Sequence, residues 1–315
     1  MNYKIAFCGL GSIAKRHLKN VSTYLASQGD TCTVDLYRSS LGNPLPEDLK
    51  SLVSEAFLYA DDIPANKLYD VVFVTNPTSM HYETVMRFAP HTKSFFIEKP
   101  IFDSTDINKQ IFKVIESKPS YVACPLRYNA VLQYVKQNID LNRVFATRAI
   151  SSSYLPEWRP GQDYRKTYSA HRELGGGVGI DLIHEWDYLT WLFGMPTLCK
   201  SIQTTISNLE IDSDDLAIYI GKNERTAFEL HLDYFGRKPI RTMDLFSDED
   251  TIHCDLLDGT VTYQKEGKTI RLESERNTFQ LKEISHFFDI INNRIENDST
   301  PEHAYNVLKI ARGEL

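Results

Sequence analysis

Short apolar runs alternate with stretches of helical periodicity through the first third of the chain, the pattern of a parallel sheet covered by helices on both faces. The runs Lys4–Cys8, Thr33–Tyr37, Val71–Thr75, Phe95–Glu98 and Tyr121–Cys124 predict strands. Ala14, Leu18, Val21 and Leu25 recur at helical spacing after the first run, and Ile107, Ile111, Val114 and Ile115 after the fourth. Beyond about residue 140 the segments lengthen and their polarity nearly alternates. Val144–Ser151, Leu198–Thr205, Leu216–Ile220, Thr226–Tyr234, Arg241–Phe246 and Thr251–Asp255 then read as strands of an antiparallel sheet, with hairpin turns at Asp258-Gly259 and Glu266-Gly267. One helix is predicted inside this region at Val178–Phe193, and two more close the chain at Phe279–Asn293 and Pro301–Arg312.

The fold class is therefore α/β: a doubly wound parallel sheet over residues 1–122, then an α+β domain over residues 123–315 with a large, mainly antiparallel open sheet. A sheet covered by helices on one face leaves the other to be solvated or paired, so a homo-oligomer, dimer or tetramer, built through that sheet is expected. At roughly 150 residues per domain, 315 residues also predict two domains.

Charge narrows the function classes. Lys and Arg total 35 against 42 Asp and Glu, a net charge of −7, which argues against tracking of nucleic-acid phosphates. The first apolar run is too short for a signal peptide or a membrane span, so a cytoplasmic protein is expected. The five cysteines are scattered without a CxxC pair, which predicts reduced thiols and no metal cluster.

Gly9-Leu10-Gly11-Ser12-Ile13-Ala14 follows the first strand and opens a helix, fitting the G-x-G-x-x-G/A signature of a Rossmann dinucleotide site. Gly9 permits the turn, Gly11 lets backbone approach a pyrophosphate, and Ala14 lets helix and strand pack closely. The phosphates would lie at the positive end of the helix. The second strand ends Asp35-Leu36-Tyr37-Arg38-Ser39. If Arg38 and Ser39 meet the adenosine ribose, NADP is favoured, and this is the preferred reading; if Asp35 is the terminal acid, NAD is.

Two further segments sit at carboxyl ends of parallel strands, where such sheets bind ligands: Asn76-Pro77 and Glu98-Lys99-Pro100. Lys99 is placed there as an acid or electrostatic partner. Later, Gly175-Gly176-Gly177 precedes Asp181 and His184, whose i, i+3 spacing puts them on one helical face, where a carboxylate can orient an imidazole as a base. A zinc-protease reading fails, because Tyr188 stands where H-E-x-x-H needs its second His.

In this order and spacing, the glycine turn, Asn76-Pro77, Glu98-Lys99-Pro100 and the triglycine with Asp181 and His184 resemble the glucose–fructose oxidoreductase, inositol dehydrogenase and rhizopine-catabolism family, written Gfo/Idh/MocA. The resemblance covers essentially the whole chain. It implies an N-terminal Rossmann domain and an NAD(P)-dependent dehydrogenase or reductase acting at a carbinol or carbonyl carbon of a sugar, sugar acid or nucleotide sugar. It also implies a C-terminal sheet used for oligomerisation. By matching position, Lys99, Asp181 and His184 are the catalytic residues, and Glu98, Asn76 and Pro77 lie by the nicotinamide. Family members often place His four residues after Asp; here the gap is three.

With Gly9, Gly11, Ser12, Ile13, Ala14, Arg38 and Ser39, His81 completes the expected cofactor set, and NADP is the expected cofactor with NAD the alternative. In the long loop Tyr154–Gly176, aromatic residues can stack on sugar faces while Arg159, Arg165 and Arg172 can bind carboxylate or phosphate. Trp158, Arg159, Tyr164, Arg165 and Arg127 join Lys99, Asp181 and His184 as expected substrate contacts. Similar Trp-Arg and Asp-Tyr loops accompany family members linked to surface-polysaccharide sugars, which the resemblance extends to an anionic substrate. An oligomer-interface role for the loop stays open. Two other functional readings are a cofactor-binding regulator that keeps the fold without catalysis, and a sugar–sugar oxidoreductase with tightly held cofactor.

Overall fold

Burial of one strand after another builds the first sheet. The structure, a computed structural model, describes residues 1–42, 44–273 and 275–315. The chain runs β1 (Asn2–Cys8), α1 (Ser12–Ser27), β2 (Thr31–Arg38), α2 (Glu47–Lys50), β3 (Glu55–Leu58), β4 (Val71–Val74), α3 (His81–Phe88), β5 (Phe95–Ile97), α4 (Gln110–Glu116) and β6 (Ser120–Val122). The strands are parallel in the order β3-β2-β1-β4-β5-β6, that of a doubly wound dinucleotide fold. The five expected strands are present. The sixth, β3, is a short, half-exposed edge strand whose Glu55-Ala56-Phe57-Leu58 carries no long apolar run.

Register places Phe7, Phe73, Phe96 and Tyr121 side by side across β1, β4, β5 and β6. Phe7 stacks on Phe73 at 4.5 Å between ring centroids, and Phe73 on Phe96 at 4.8 Å. Phe287 from a C-terminal helix stands edge-on to this row at 5.2 Å from Phe96. Four aromatic rings buried in register account for much of the stability of this layer, each worth a large apolar area plus about 0.5–1.5 kcal/mol of ring geometry.

The chain continues through α5 (Ala130–Asn138), β7 (Val144–Tyr154), α6 (Val178–Asp181), α7 (His184–Phe193), β8 (Leu198–Thr204), β9 (Leu216–Lys222), β10 (Ala227–Asp233), β11 (Phe235–Ser247), β12 (Thr251–Asp255), β13 (Thr260–Tyr263), β14 (Lys268–Arg271), α8 (Arg276–Ile291) and α9 (Pro301–Ala311). Eight strands form one sheet in the order β14-β13-β12-β11-β7-β10-β9-β8, antiparallel throughout except where β7 meets β10. Trp186 of α7 packs on Tyr219 of β9 at 5.5 Å, which seats the helix on one face.

The expected single helix Val178–Phe193 is two helices. Leu182 leaves helical geometry at φ −97°, ψ 30°, and α6 before it is packed tightly by distant residues: a Cβ on Gly179 would meet the Tyr219 hydroxyl and the Ala311 carbonyl. Residues Met1–Ala123 with Gln280–Tyr305 form one unit, and Cys124–Phe279 with Asn306–Leu315 the other. Among the described residues no helix is long and apolar enough to cross a membrane.

Candidate active site

In the first unit the glycine turn is fixed by its neighbours. Gly9 has φ +93°, and a Cβ on it would lie 2.8 Å from Asn76 Cα, so only glycine lets the turn rest on the Asn76-Pro77 segment. Its N–H donates to the Tyr37 carbonyl at 2.8 Å. Gly11 is the N-cap of α1 in extended geometry with no side-chain cap, and a Cβ there would meet nothing within 4 Å. The protein itself therefore has no need of glycine at 11; the open space and the uncapped N–H groups of Ser12, Ile13 and Ala14 fit a pyrophosphate. Asn76 adds a buried Oδ1 without a hydrogen-bond partner, while its Nδ2 donates to Thr84 at 2.7 Å. These features fit a nicotinamide dinucleotide.

Asp35 is taken up inside the unit. Its carboxylate accepts from Lys67 Nζ at 2.7 Å and from the Tyr69 hydroxyl at 2.8 Å, three residues before the strand ends. Arg38 is the last residue of β2, followed by Ser39.

His81 joins the two strand-end segments. One ring nitrogen lies 3.1 Å from the Asn76 carbonyl and the other 3.1 Å from that of Pro100, and burial lowers its pKa. Glu98 is two residues beyond Phe96, so strand alternation turns both to the face where α1 packs. There Glu98 Oε1 meets His17 Nε2, whose ring lies 4.9 Å from Phe96, and Glu98 Oε2 accepts the Lys99 N–H at 3.2 Å. Burial alone would raise the Glu98 pKa; the His17 hydrogen bond and the charges of His17, Lys99 and His81 outweigh it and hold the group below the usual carboxylate range.

A lowered carboxylate contributes stability that is present above its unfolded pKa, about 4.3, and is lost as pH falls through the folded value. His17→Phe should therefore cost about 1–3 kcal/mol near neutral pH. The gap in melting temperature from the wild type should close as the pH drops below the carboxylate range. A gap of constant size from pH 7 to about pH 3 would exclude this account.

The second unit assembles a different cluster. Asp181 ends α6, buried, and its Oδ2 accepts from the Tyr234 hydroxyl at 2.6 Å. Tyr168 turns its hydroxyl to the same carboxylate. Burial, and then the Asp181 charge, raise both phenols well above the ordinary tyrosine value, so both stay protonated donors. Asp233 fixes the Tyr234 corner by accepting from His231, Ser152 and the N–H groups of Phe235 and Gly236. A Cβ on Gly176 would fall on the carbonyls of Tyr168, Ser169 and His171, so the triglycine lets the loop close against itself.

His184 opens α7, half-buried, after the break; its spacing from Asp181 is thus not that of one continuous helix. The neighbouring Glu185 is fully buried with Arg241 Nε at 2.7 Å. Arg127 is buried in a two-pronged pair with Asp187, at 2.9 and 2.7 Å. In the long loop, Trp158 stands edge-on to Tyr234 at 5.2 Å and donates to Ser153 at 2.9 Å. Arg159 lies over the Tyr168 ring, Arg165 is paired with Asp163 and Glu210, and the Tyr164 hydroxyl accepts the Glu210 N–H.

Sequence reasoning missed His17, Tyr168 and Tyr234 as site residues. His17 carried a signal: it falls beside Ala14, Leu18 and Val21 on the apolar side of α1, an unusual place for a histidine without a partner.

Comparison with known proteins bears on both units. The model of the family described as "Oxidoreductase family, NAD-binding Rossmann fold" matches residues 3–124. The scyllo-inositol 2-dehydrogenase (NAD(+)) of Bacillus subtilis is 23% identical over 201 residues, covering 61% of this chain and 54% of that protein. The chain spans about half the length of the curated relatives it matches. A solved UDP-N-acetylglucosamine 3-dehydrogenase from Acidithiobacillus ferrooxidans superposes with a TM-score of 0.77 at 16% identity, covering 99% of this chain and 96% of that one. The apo form of a levoglucosan dehydrogenase gives 0.82 at 16% identity, covering 99% and 95%. At such identities the structural likeness is one of fold. The family match falls on the unit that holds the glycine turn, Asn76-Pro77 and Glu98-Lys99-Pro100, and residues 3–124 accordingly carry the NAD-binding Rossmann fold of that oxidoreductase family, to which the rest of the chain is similar in fold.

Proposed function

We propose that the protein is an NAD(P)-dependent dehydrogenase or reductase acting on CH–OH, moving a hydride between nicotinamide and a carbinol or carbonyl carbon of a sugar, sugar acid or nucleotide sugar. One observation carries this reading: the Gly9 turn rests on Asn76, His81 links Asn76 to Pro100, and Glu98 holds the Lys99 backbone, so Lys99 is anchored to the dinucleotide-type turn. The names of the relatives and neighbours refer to scyllo-inositol, levoglucosan and UDP-N-acetylglucosamine, all polyhydroxylated rings, which supports a sugar-type substrate.

When bound, the nicotinamide supplies the hydride acceptor or donor. In the oxidative direction Lys99 contacts the reacting oxygen and takes part in removing its proton. His184 is the second base, and Asp181, held by Tyr234, is the remaining catalytic carboxylate. The buried pair of Arg127 with Asp187 orients the start of α7 and leaves Trp158, Arg159 and Tyr164 as the better substrate contacts. We further assign the open sheet face, where Ile202 and Ile220 are 64% and 67% exposed, to pairing with a second copy. A reducing, cytoplasmic setting is part of this reading, supported by five scattered cysteines without a CxxC pair.

NADP is the proposed cofactor, because Lys67 and Tyr69 occupy Asp35 while Arg38 ends the strand. Fluorescence titration of cofactor-stripped protein should give tighter binding of NADPH than of NADH. Arg38→Ala should weaken NADPH by about 10- to 100-fold and NADH little, as expected for loss of a charge-assisted phosphate contact. Equal weakening of both would remove Arg38 from the 2′-phosphate, and binding of neither dinucleotide would overturn the enzyme reading.

A further inference from the structure

The long loop offers three arginines to an anionic ligand, and the structure treats them differently. Arg165 is neutralised twice, by Asp163 at 2.8 Å and Glu210 at 2.9 Å. Arg172 pairs with Asp214 at 2.9 Å, and its backbone N–H is taken by Asp212. Among the described residues Arg159 has no carboxylate at ion-pair distance; its guanidinium carbon lies 5.3 Å from the centroid of the Tyr168 ring. Attraction to a ring face uses the charge of a guanidinium without consuming its N–H donors, which can still grip an oxyanion with two parallel hydrogen bonds.

The position of that charge is specific. The ring beneath Arg159 belongs to Tyr168, whose hydroxyl faces Asp181, so one aromatic ring separates the cation from the carboxylate. Arg159 and Trp158 also line a small recess with Pro156, Gln162 and Tyr164. Trp158 is held in place by Ser153 and Tyr234 and offers an apolar face of the kind that stacks on sugar rings. In a chain of net charge −7, a cation without a counter-ion beside a buried carboxylate is a feature that a neutral ligand does not require.

We infer that Arg159 receives an anionic group of the substrate, a carboxylate or a phosphate, carried about one sugar ring away from the carbon handled beside Asp181. The inference rests on the sugar-oxidoreductase reading above and narrows it to acidic substrates. Arg165 and Arg172, neutralised by their own carboxylates, shape the loop.

The test is calorimetric titration of the full-length, NADPH-saturated protein with glucuronate, its neutral amide glucuronamide, glucose 1-phosphate, UDP-N-acetylglucosamine and myo-inositol. At least one anionic ligand should bind more tightly than the neutral ones, by about 10- to 100-fold, the worth of a charge-assisted pair of hydrogen bonds. Preference within the uronate pair points to a carboxylate, and preference for the phosphorylated ligands to a phosphate. Arg159→Ala should erase the preference, Arg159→Lys should restore part of it, and Arg143→Ala, which removes the same charge from the residue before β7, should leave it intact. Neutral ligands binding as tightly as anionic ones, or Arg159→Ala weakening glucuronate and glucuronamide alike, would overturn the inference. Nicotinamide absorbance, followed in parallel mixtures with the oxidised and reduced dinucleotide, tests the hydride reading separately. A neutral sugar turned over at wild-type rate by Arg159→Ala would keep that reading and discard this one.

Discussion

Lys99→Ala should lower kcat by about 10²- to 10⁴-fold, the range typical of a lost acid–base group, while NADPH affinity stays nearly unchanged. The separation of the two effects follows from how the residue is held. Glu98 accepts the backbone N–H of Lys99, and His17 holds Glu98, so truncating the side chain leaves the segment and the glycine turn in place. Lys99→Arg then distinguishes two roles for the ammonium. An arginine keeps the positive charge but cannot give up a proton near neutral pH. Partial rescue by arginine would assign Lys99 to charge stabilisation alone; no rescue assigns it to proton transfer. Steady-state kinetics on a sugar substrate with a parallel dinucleotide titration reads both effects, and an Ala variant with wild-type kcat would refute the assignment.

The fold was legible wherever a local period carried it. Four of the six parallel strands are buried end to end or nearly so and stand out as apolar runs, whereas β3 is too short and too exposed to do so. The helix over Val178–Phe193 was misread for a related reason. Leu182, Trp186, Leu189 and Phe193 keep an apolar stripe running across the break, and the residues packed against α6 are distant in sequence, Tyr219 and Ala311 against Gly179. The same limit applies to α8. Periodicity shows that Phe287 and Phe288 share a buried stretch, but not that they stand against Phe96, Phe73 and Tyr3 of the first unit.

The candidate site divides along the same line. Gly9 to Ala14, Asn76-Pro77 and Glu98-Lys99-Pro100 are contiguous motifs at strand ends, and their chemistry can be read without a partner. His17 and Glu98 lie 81 residues apart, and Tyr234 and Asp181 lie 53 apart, so only the folded chain brings them together. Charge is the hardest to read. Arg159, Arg165 and Arg172 are equivalent in a list of residues, and become different only when Asp163, Glu210 and Asp214 are found beside two of them.

Substitution at either glycine of the turn should weaken dinucleotide binding but only one should cost stability, and this separates what the fold needs from what the ligand needs. Gly9→Ala forces a side chain into φ +93°, at a cost of about 1–2 kcal/mol, and drives its Cβ into the backbone of Asn76. Both stability and dinucleotide binding should fall, because the Asn76 segment must move. Gly11→Asp meets no such obstacle: φ is −68°, the surrounding space is open, and aspartate is a good N-cap for α1, worth a few tenths of a kcal/mol over glycine. The melting temperature of the cofactor-free variant should hold or rise slightly. The same carboxylate would stand where the pyrophosphate lies, and steric exclusion with like-charge repulsion should weaken NADPH by about 100-fold or more. A Gly11→Asp protein that melts like the wild type and binds NADPH like the wild type would show that the end of α1 is not the phosphate site.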